Sequence, residues 1–332
     1  MNILVTGGAG FIGSNFLNIF VKKYPETNFL NIDKLTYAGN LNNIKVSKQK
    51  NYQFKKVDIV NRKLVHQVFK DFKPDVVINF AAESHVDRSI LNPSQFVETN
   101  ILGTFNLIDE FRQLWSDNFV KKRFHQISTD EVYGFLGQTG SFSEKTPYNP
   151  SSPYSASKAA SDHIVRAYGH TYGVPVSITN CSNNFGPQQH DEKMIPTIIR
   201  NALAGTRIPI YGTGNNVRDW LFVEDHCEAI WNVIFNGQSG ESYNIGAYND
   251  ISNNTLVYRV LDILSTITGE PEGSYSKLIQ YVADRKGHDY RYAINPHKIE
   301  NDLNWHAKTS FDVGMYKTVK FYVKKYTEMA IK

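Results

Sequence analysis

Cysteine is scarce in this chain: two residues in 332, Cys181 and Cys227. Their spacing is not that of a metal-ligand set, so a disulfide framework and a zinc site are both excluded, and a reducing compartment is expected. No apolar run reaches the roughly 18 residues a membrane helix needs. The N-terminus enters a strand at once, leaving no room for a signal peptide. The expectation is a cytoplasmic protein. Charge of one sign is also lacking: the formal net charge is +4, and lysines and arginines occur as scattered pairs, so nothing indicates nucleic-acid binding. The mildly basic stretch from Lys317 to Lys332 reads as an ordinary amphipathic helix end. No internal repeat or low-complexity tract is present. Hydrophobic content of 41% and charged content of 20% describe a globular protein whose length suggests two lobes.

The N-terminal pattern is a strand, a glycine turn and a helix. Asn2 to Thr6 is apolar and short. Gly7-Gly8-Ala9-Gly10-Phe11-Ile12-Gly13 follows, then a helical pattern from Ser14 to Lys23 with Phe16, Leu17, Phe20 and Val21 apolar. Glycines at this spacing permit a tight turn and close approach of backbone to a pyrophosphate at the positive end of a helix. A second strand from Phe29 to Ile32 ends in Asp33, twenty residues after Gly13. A carboxylate there accepts hydrogen bonds from ribose hydroxyls and repels a 2′-phosphate, favouring NAD over NADP. A glycine-rich turn with no ligand is the plain alternative.

Strand and helix patterns then alternate. Strands are expected at 52–57, 76–80, near 124–127 and near 176–179, with helices at 62–72, from Pro93 to about Trp115, and around Tyr154. The fold class this implies is α/β, a doubly wound parallel sheet of Rossmann type, with ligands at the carboxyl ends of the strands. Residues 1–185 are expected to form that lobe, with elements near 217–247 returning to it. Residues 186–332 are expected to be mainly a smaller, mixed α/β substrate lobe.

Chemistry-bearing residues gather at two places. Tyr154 and Lys158 lie four apart, on one face of a helix. A lysine so placed can lower a tyrosine's pKa from about 10 and make it a base acting on a hydroxyl. Shortly before them comes Ser128-Thr129-Asp130-Glu131-Val132-Tyr133-Gly134. An acid and a carboxylate base beside the tyrosine suit removal of a proton and a water, provided that one carboxyl stays neutral and the other ionised. A solvated loop pair or a helix cap is the other reading of Asp130 and Glu131.

With Ala81 to Ser89, Cys181 to Pro187, Glu192 to Pro196, Arg218 to His226 and Asp284 to His288, these segments resemble a known family nearly end to end. It is the nucleotide-sugar branch of the extended short-chain dehydrogenase/reductases, and within it the dTDP-glucose 4,6-dehydratases. The resemblance implies tightly bound NAD, resting as NAD+ and regenerated every turnover, and a sugar-nucleotide substrate, dTDP-glucose. It implies that Tyr154 takes the C4 hydroxyl proton while hydride leaves, that Lys158 holds the nicotinamide ribose, and that Thr129 hydrogen-bonds the C4 oxygen. Glu131 would then remove the C5 proton and Asp130 would protonate the departing C6 hydroxyl.

Around the cofactor it implies Gly7, Gly10, Phe11, Ile12, Gly13, Asp33, Lys34, Leu35, Thr36, Asp58, Ile59, Ala81, Ala82, Ser84, Thr99 and Asn184. Around the substrate it implies Ser84, His85, Asn183, Glu192, Lys193, Pro209, Tyr211, Arg218, Asn253, Arg285 and His288, with Tyr211 stacked on the nucleobase and the two arginines on the diphosphate. Asn180 stands where many relatives carry arginine, and Phe185 replaces a common tyrosine. UDP-glucose 4,6-dehydratase, UDP-glucose 4-epimerase, a decarboxylase of UDP-glucuronate and a non-catalytic NAD-sensing regulator are the alternatives. An epimerase or decarboxylase has no need of the acid pair, and a sensor has no need of Tyr154 with Lys158. Finally, the apolar set Phe96, Val97, Ile101, Leu102, Phe105, Leu107, Ile108, Phe111 and Leu114 is too broad for one face packed on a sheet. With Ala156, Ala159, Ala160, Ile164 and Ala167 on the next helix, it predicts a homodimer through a four-helix bundle.

Overall fold

A computed structural model describes residues 1–116, 118–284 and 289–330. Six strands of the first half are β1 (Asn2–Thr6), β2 (Asn28–Asp33), β3 (Tyr52–Lys56), β4 (Val76–Asn79), β5 (Arg123–Thr129) and β6 (Val176–Cys181). The second half supplies β7 (Asn183–Phe185), β8 (Ile208–Tyr211), β9 (Val217–Phe222), β10 (Ser242–Ile245), β11 (Asp250–Ser252), β12 (Ile279–Val282) and β13 (Arg291–Tyr292). The main sheet has seven parallel strands in the order β10-β6-β5-β4-β1-β2-β3. Parallel neighbours demand crossovers, and helices supply them on both faces.

The crossover helices are α1 (Phe11–Lys23), α2 (Arg62–Phe72), α3 (Val86–Leu91), α4 (Pro93–Phe96), α5 (Thr104–Trp115) and α6 (Pro153–Tyr172). Farther on lie α7 (Met194–Leu203), α8 (Val223–Asn236), α9 (Asn253–Thr268), α10 (His297–Leu303) and α11 (Phe311–Ala330). Because side chains alternate along a strand, Ile3 and Val5 pack with Phe16, Phe20, Cys227 and Ile230 from α1 and α8, while Leu4 packs with Val68, Leu107 and Phe111 on the opposite face. The strands are buried on both faces, which is why they read as continuous apolar runs.

The chain returns to this sheet late: β10 pairs with β6 at its edge. Segments before and after β10 together build a second core, from α7, α9 and α11 around Trp220, Phe222, Leu256, Val260, Met315 and Tyr322. β11, β9 and β13 form a small sheet with β7 beside β9, and β12 pairs with β8.

One expected element differs. The single helix from Pro93 to Trp115 is interrupted by a π-helical stretch, Val97–Gly103, between α4 and α5. Apolar spacing hardly distinguishes π from α over seven residues, so the sequence pattern runs straight through it. The wider turn has a use. It faces Thr99 into the cleft described below and carries Asn100, whose amide donates to Glu83 O at 3.0 Å and Ser157 Oγ at 2.8 Å and whose oxygen accepts from Glu83 N at 2.8 Å.

Candidate active site

The order β4-β1 marks the point where the sheet's winding reverses, and a deep cleft opens there at the strands' carboxyl ends. Glycine is required at its floor. Gly7 has φ +68°, and a methyl on it would stand 2.7 Å from the Ala81 backbone; one on Gly13 would stand 2.6 Å from Gly7 O. Gly10 caps α1 with no side chain over the first amides, so the positive helix end faces the cleft and suits a pyrophosphate. At the end of β2, Asp33 accepts hydrogen bonds from Ala9 N (2.9 Å) and Leu35 N (2.7 Å). Burial raises its pKa while those two amides pull it down. Lys34 pairs with Asp58 at 2.7 Å.

Gly7, Gly10, Phe11, Ile12, Gly13, Asp33, Lys34, Thr36, Asp58, Ile59, Ala81, Ala82, Ser84, Thr99, Tyr154 and Lys158 all line this one cleft, as do Glu192 and Lys193. Leu35 does not line it; its amide is the one that holds Asp33. Sequence reading missed Ser128, Cys181, Gln189 and His190 on the lining, and Tyr37, whose ring meets that of His190 edge-on with centroids 5.3 Å apart. The Arg88 guanidinium lies 3.6 Å over the Tyr37 ring and 3.3 Å from Glu192 Oε2, and Lys193 Nζ donates to Ser84 O at 3.3 Å. These contacts join the two halves of the chain across the cleft mouth. His85 sits 3.9 Å from Glu192, with its pKa lowered chiefly by burial.

Local capping fixes the tyrosine and lysine. Ser152 caps α6 through a reciprocal capping box with Ser155, and Pro153 occupies the first turn. Tyr154 and Lys158 therefore project from the first two turns toward the end of β5. Lys158 Nζ donates to Ile127 O at 2.6 Å, and burial lowers its pKa below the usual 10.5. Tyr154 is hydrogen-bonded to Thr129. Here an expectation is corrected. Tyr154's pKa is not depressed by the protein's own groups but pushed well above 10, first by burial and then by the charge of Glu131. Lys158 is tied to a backbone carbonyl and does not outweigh these.

β5 ends in a 3₁₀ turn, Asp130–Tyr133, started by Thr129, whose Oγ1 accepts from Glu131 N at 3.3 Å. Gly134 ends it at φ +94°. The turn separates the two neighbouring acids. Asp130 is 2% exposed, and its Oδ2 has no hydrogen-bond partner among the described residues. Burial and then the adjacent Glu131 charge raise its pKa well above 3.8, against the pull of Arg218. Glu131 is half-buried. Burial thus favours the protonated form of one carboxyl, while the other retains contact with solvent. Behind them Asn180, fully buried, donates to Thr129 O at 3.2 Å and Tyr148 Oη at 3.3 Å. Asn184 bonds His226 Nδ1 at 2.8 Å and the Cys181 sulfur at 3.3 Å, and burial pushes the Cys181 thiol up to about 12.

The remaining substrate candidates lie outside the cleft lining. Asn183 is half-buried on β7, Pro209 and Tyr211 are exposed on β8, and Asn253 begins α9. Arg218, buried on β9, donates to Val217 O (2.7 Å), Asp289 O (2.9 Å) and Tyr290 O (3.2 Å) and lies 4.4 Å over the Tyr292 ring. Arg285 and His288 fall outside the described residues. Among the described residues no cluster of His, Cys, Asp or Glu could hold a metal ion, and no helix is long and apolar enough to cross a membrane.

Comparison with known proteins bears on this geometry. The family described as GDP-mannose 4,6 dehydratase matches residues 4–318. A probable dTDP-glucose 4,6-dehydratase of Sinorhizobium fredii is 50% identical over 330 residues, spanning 98% of this chain and 93% of the relative. The crystal structure of DesIV, a dTDP-glucose 4,6-dehydratase of Streptomyces venezuelae solved with NAD bound, superposes with a TM-score of 0.90 at 42% identity, over 99% of this chain and 98% of that one. UDP-glucose 4-epimerase of Thermotoga maritima, solved with UDP-glucose, superposes at 0.86 with 27% identity, over 98% and 99% of the two chains.

Proposed function

We propose a function from one premise: this chain belongs to the dTDP-glucose 4,6-dehydratases, a nucleotide-sugar branch of the extended short-chain dehydrogenase/reductases. It is an NAD-dependent hydro-lyase that converts dTDP-glucose to dTDP-4-keto-6-deoxy-glucose. The observation that carries the chemistry is the pair of adjacent acids in unlike environments, Asp130 buried with its pKa raised and Glu131 half-buried, beside Thr129 and Tyr154.

The cleft fits a dinucleotide, with bare glycines under the pyrophosphate and Asp33 placed for the adenosine ribose. When bound, NAD+ accepts a hydride from C4, returns it to C6 after elimination, and brings a positive charge beside Tyr154. The protein's own groups keep Tyr154 protonated, so its action as a base depends on that added charge. Tyr154 then takes the C4 hydroxyl proton, with Thr129 bridging to the same oxygen. The resulting ketone acidifies C5–H, because the anion delocalises into the carbonyl. Glu131 removes that proton. Asp130 gives its own to the C6 hydroxyl as water leaves, and Glu131 finally returns a proton to C5. The buried position of Asp130 serves the acid role, since a carboxyl must still hold its proton at neutral pH to donate it.

For the substrate, Ser84, His85, Asn183, Glu192 and Lys193 are assigned to the sugar and inner phosphate. Pro209, Tyr211, Arg218, Asn253, Arg285 and His288 are assigned to the nucleotide, with thymine preferred to uracil. The three carbonyls around Arg218 orient its guanidinium and leave its charge acting toward Asp130. A cytoplasmic location accords with two free, buried cysteines. The homodimer is supported by apolar side chains left outward beside the π turn, with Val97 and Leu102 exposed and Leu91 85% exposed, and by outward Ala156 and Ala167 on α6.

Incubating the purified protein with dTDP-glucose and with UDP-glucose, and weighing the products by mass spectrometry, tests the reading. The expected result is a keto sugar lighter by one water from dTDP-glucose. Epimerised sugar of unchanged mass would establish the epimerase instead, and preference for UDP-glucose would overturn the nucleotide assignment.

A further inference from the structure

One helical turn beyond Lys158, α6 buries a carboxylate that the steps above do not use. Asp162 is fully buried. Its Oδ2 accepts from Ser128 Oγ at 2.5 Å and from Tyr148 Oη at 3.1 Å, and its Oδ1 has no hydrogen-bond partner among the described residues. Tyr148 Oη in turn accepts from Arg166 Nη2 at 2.9 Å and from Asn180 Nδ2 at 3.3 Å. Each of these bonds leads to the last three residues of β5. Lys158 holds the Ile127 carbonyl, Asp162 holds the Ser128 hydroxyl, and Asn180 holds the Thr129 carbonyl. Ile127 and Ser128 line the cofactor cleft, and Thr129 is hydrogen-bonded to Tyr154.

A buried carboxylate is costly unless paired, and the cations acting on this one are Lys158 and Arg166, both on its own helix. Among the described residues the other titratable groups facing the cluster are the phenols of Tyr148 and Tyr133 and the Cys181 thiol from β6, all raised by burial and therefore neutral, with the His163 ring 5.4 Å from that of Tyr148 and the Glu144 charge acting on Tyr133. Among the described residues Lys158 thus has one anionic neighbour, four residues along its own helix.

We propose that Asp162 is a positioning residue of the reaction: through Ser128, Tyr148 and Asn180 it pins the catalytic end of β5, and its negative charge keeps Lys158 in the ammonium form. The proposal rests on the dehydratase reading of the site. Burial works to strip the proton from Lys158, and Asp162 is the largest influence opposing it. In the other direction, burial leaves the Asp162 pKa above its usual 3.8, and Lys158 is the largest influence holding it down. Removing the negative charge leaves burial unopposed, so Lys158 loses its proton at lower pH. The alkaline limb of the activity profile must then move down.

The experiment compares wild type, Asp162→Asn, Asp162→Glu and Tyr148→Phe, each purified with its own NAD, by kcat against pH on dTDP-glucose and by NAD retained through gel filtration. For Asp162→Asn the expected result is an alkaline limb lower by about 1 to 3 pH units and a smaller fraction of NAD retained. Asp162→Glu, which keeps the charge, restores the limb toward its wild-type position. Tyr148→Phe, which removes the phenol's hydrogen bonds with Asp162, Arg166 and Asn180 but no charge, keeps the wild-type limb but loses severalfold in turnover as the end of β5 loosens. An Asp162→Asn limb at the wild-type pH, or full turnover by Tyr148→Phe, would overturn the proposal. A wild type that makes no keto sugar in the same assay would remove the dehydratase reading and this proposal with it.

Discussion

The two lobes of this chain hold their binding groups by different means. In the sheet lobe the positions are set by backbone: Gly7 and Gly13 admit no Cβ, Asp33 is fixed by two amides, and Thr129, Asp130 and Glu131 leave the sheet together where β5 ends. In the smaller lobe the candidates stand on separate short elements, Tyr211 on β8, Arg218 on β9 and Asn253 on α9. A group fixed by strand register can be placed to a fraction of an ångström, which bond making requires. Recognition of a nucleotide tolerates looser placement. Damage to the first lobe should therefore fall on turnover or cofactor, and damage to the second on substrate affinity.

The largest effect expected is from Tyr154→Phe. Without the phenol's hydroxyl no group takes the C4 proton, and turnover should fall by roughly 10² to 10⁴ with no reduced-nicotinamide absorbance on adding dTDP-glucose. Next comes Gly13→Ala, whose methyl would meet Gly7 O at 2.6 Å. The purified variant should contain little NAD when it is denatured and the released nucleotide is measured, whereas wild type should release NAD, predominantly NAD+. A fully loaded Gly13→Ala protein would mean that the turn is not the pyrophosphate cradle.

In the other lobe, Tyr211→Ala should raise KM about 10-fold by loss of base stacking while leaving kcat near wild type. A fall in kcat instead would erase the division between the lobes. The smallest effect is on stability. Asp130 has a folded pKa raised above 3.8, so the folded state binds its proton more tightly than the unfolded chain. Its contribution to stability is fully present below about pH 4 and is lost as pH rises through the folded pKa. Asp130→Asn, which cannot ionise, should accordingly melt roughly 2–4 °C higher than wild type at pH 7 and show no gain at pH 4. Activity would be sacrificed in exchange, the usual relation for a strained catalytic group.

What is legible in the amino-acid sequence follows the same division. The glycine turn, Asp33 and the Tyr154/Lys158 pair announce themselves through local periodicity and spacing, and the cleft brings them together with Asp58, Thr99 and the Ala81–Ser84 segment. The unlike burial of Asp130 and Glu131 is not readable there, because it depends on which carboxyl the turn buries. Nor is the Asp162 cluster: Tyr148, Asp162 and Asn180 are distant in sequence, and a lone polar residue in an apolar run carries no pattern. The π stretch at 97–103 hides inside a helical repeat. The raised pKa of Tyr154 runs against the spacing rule, since a lysine one turn away matters less than burial and a nearby glutamate. Asn180 ties β6 to Thr129, a role visible only once β5 and β6 are paired.

The division of labour between the two acids is tested most directly by Glu131→Gln in deuterated solvent. The amide is nearly isosteric but cannot take the C5 proton, so steady-state turnover should fall by roughly 10² or more. In a single turnover with dTDP-glucose, reduced-nicotinamide absorbance should rise and persist, with no deuterium entering C5. Asp130→Asn should instead slow elimination while C5 exchange continues. Full turnover by Glu131→Gln, or a loss of C4 oxidation in it as deep as that of Tyr154→Phe, would contradict the assignment.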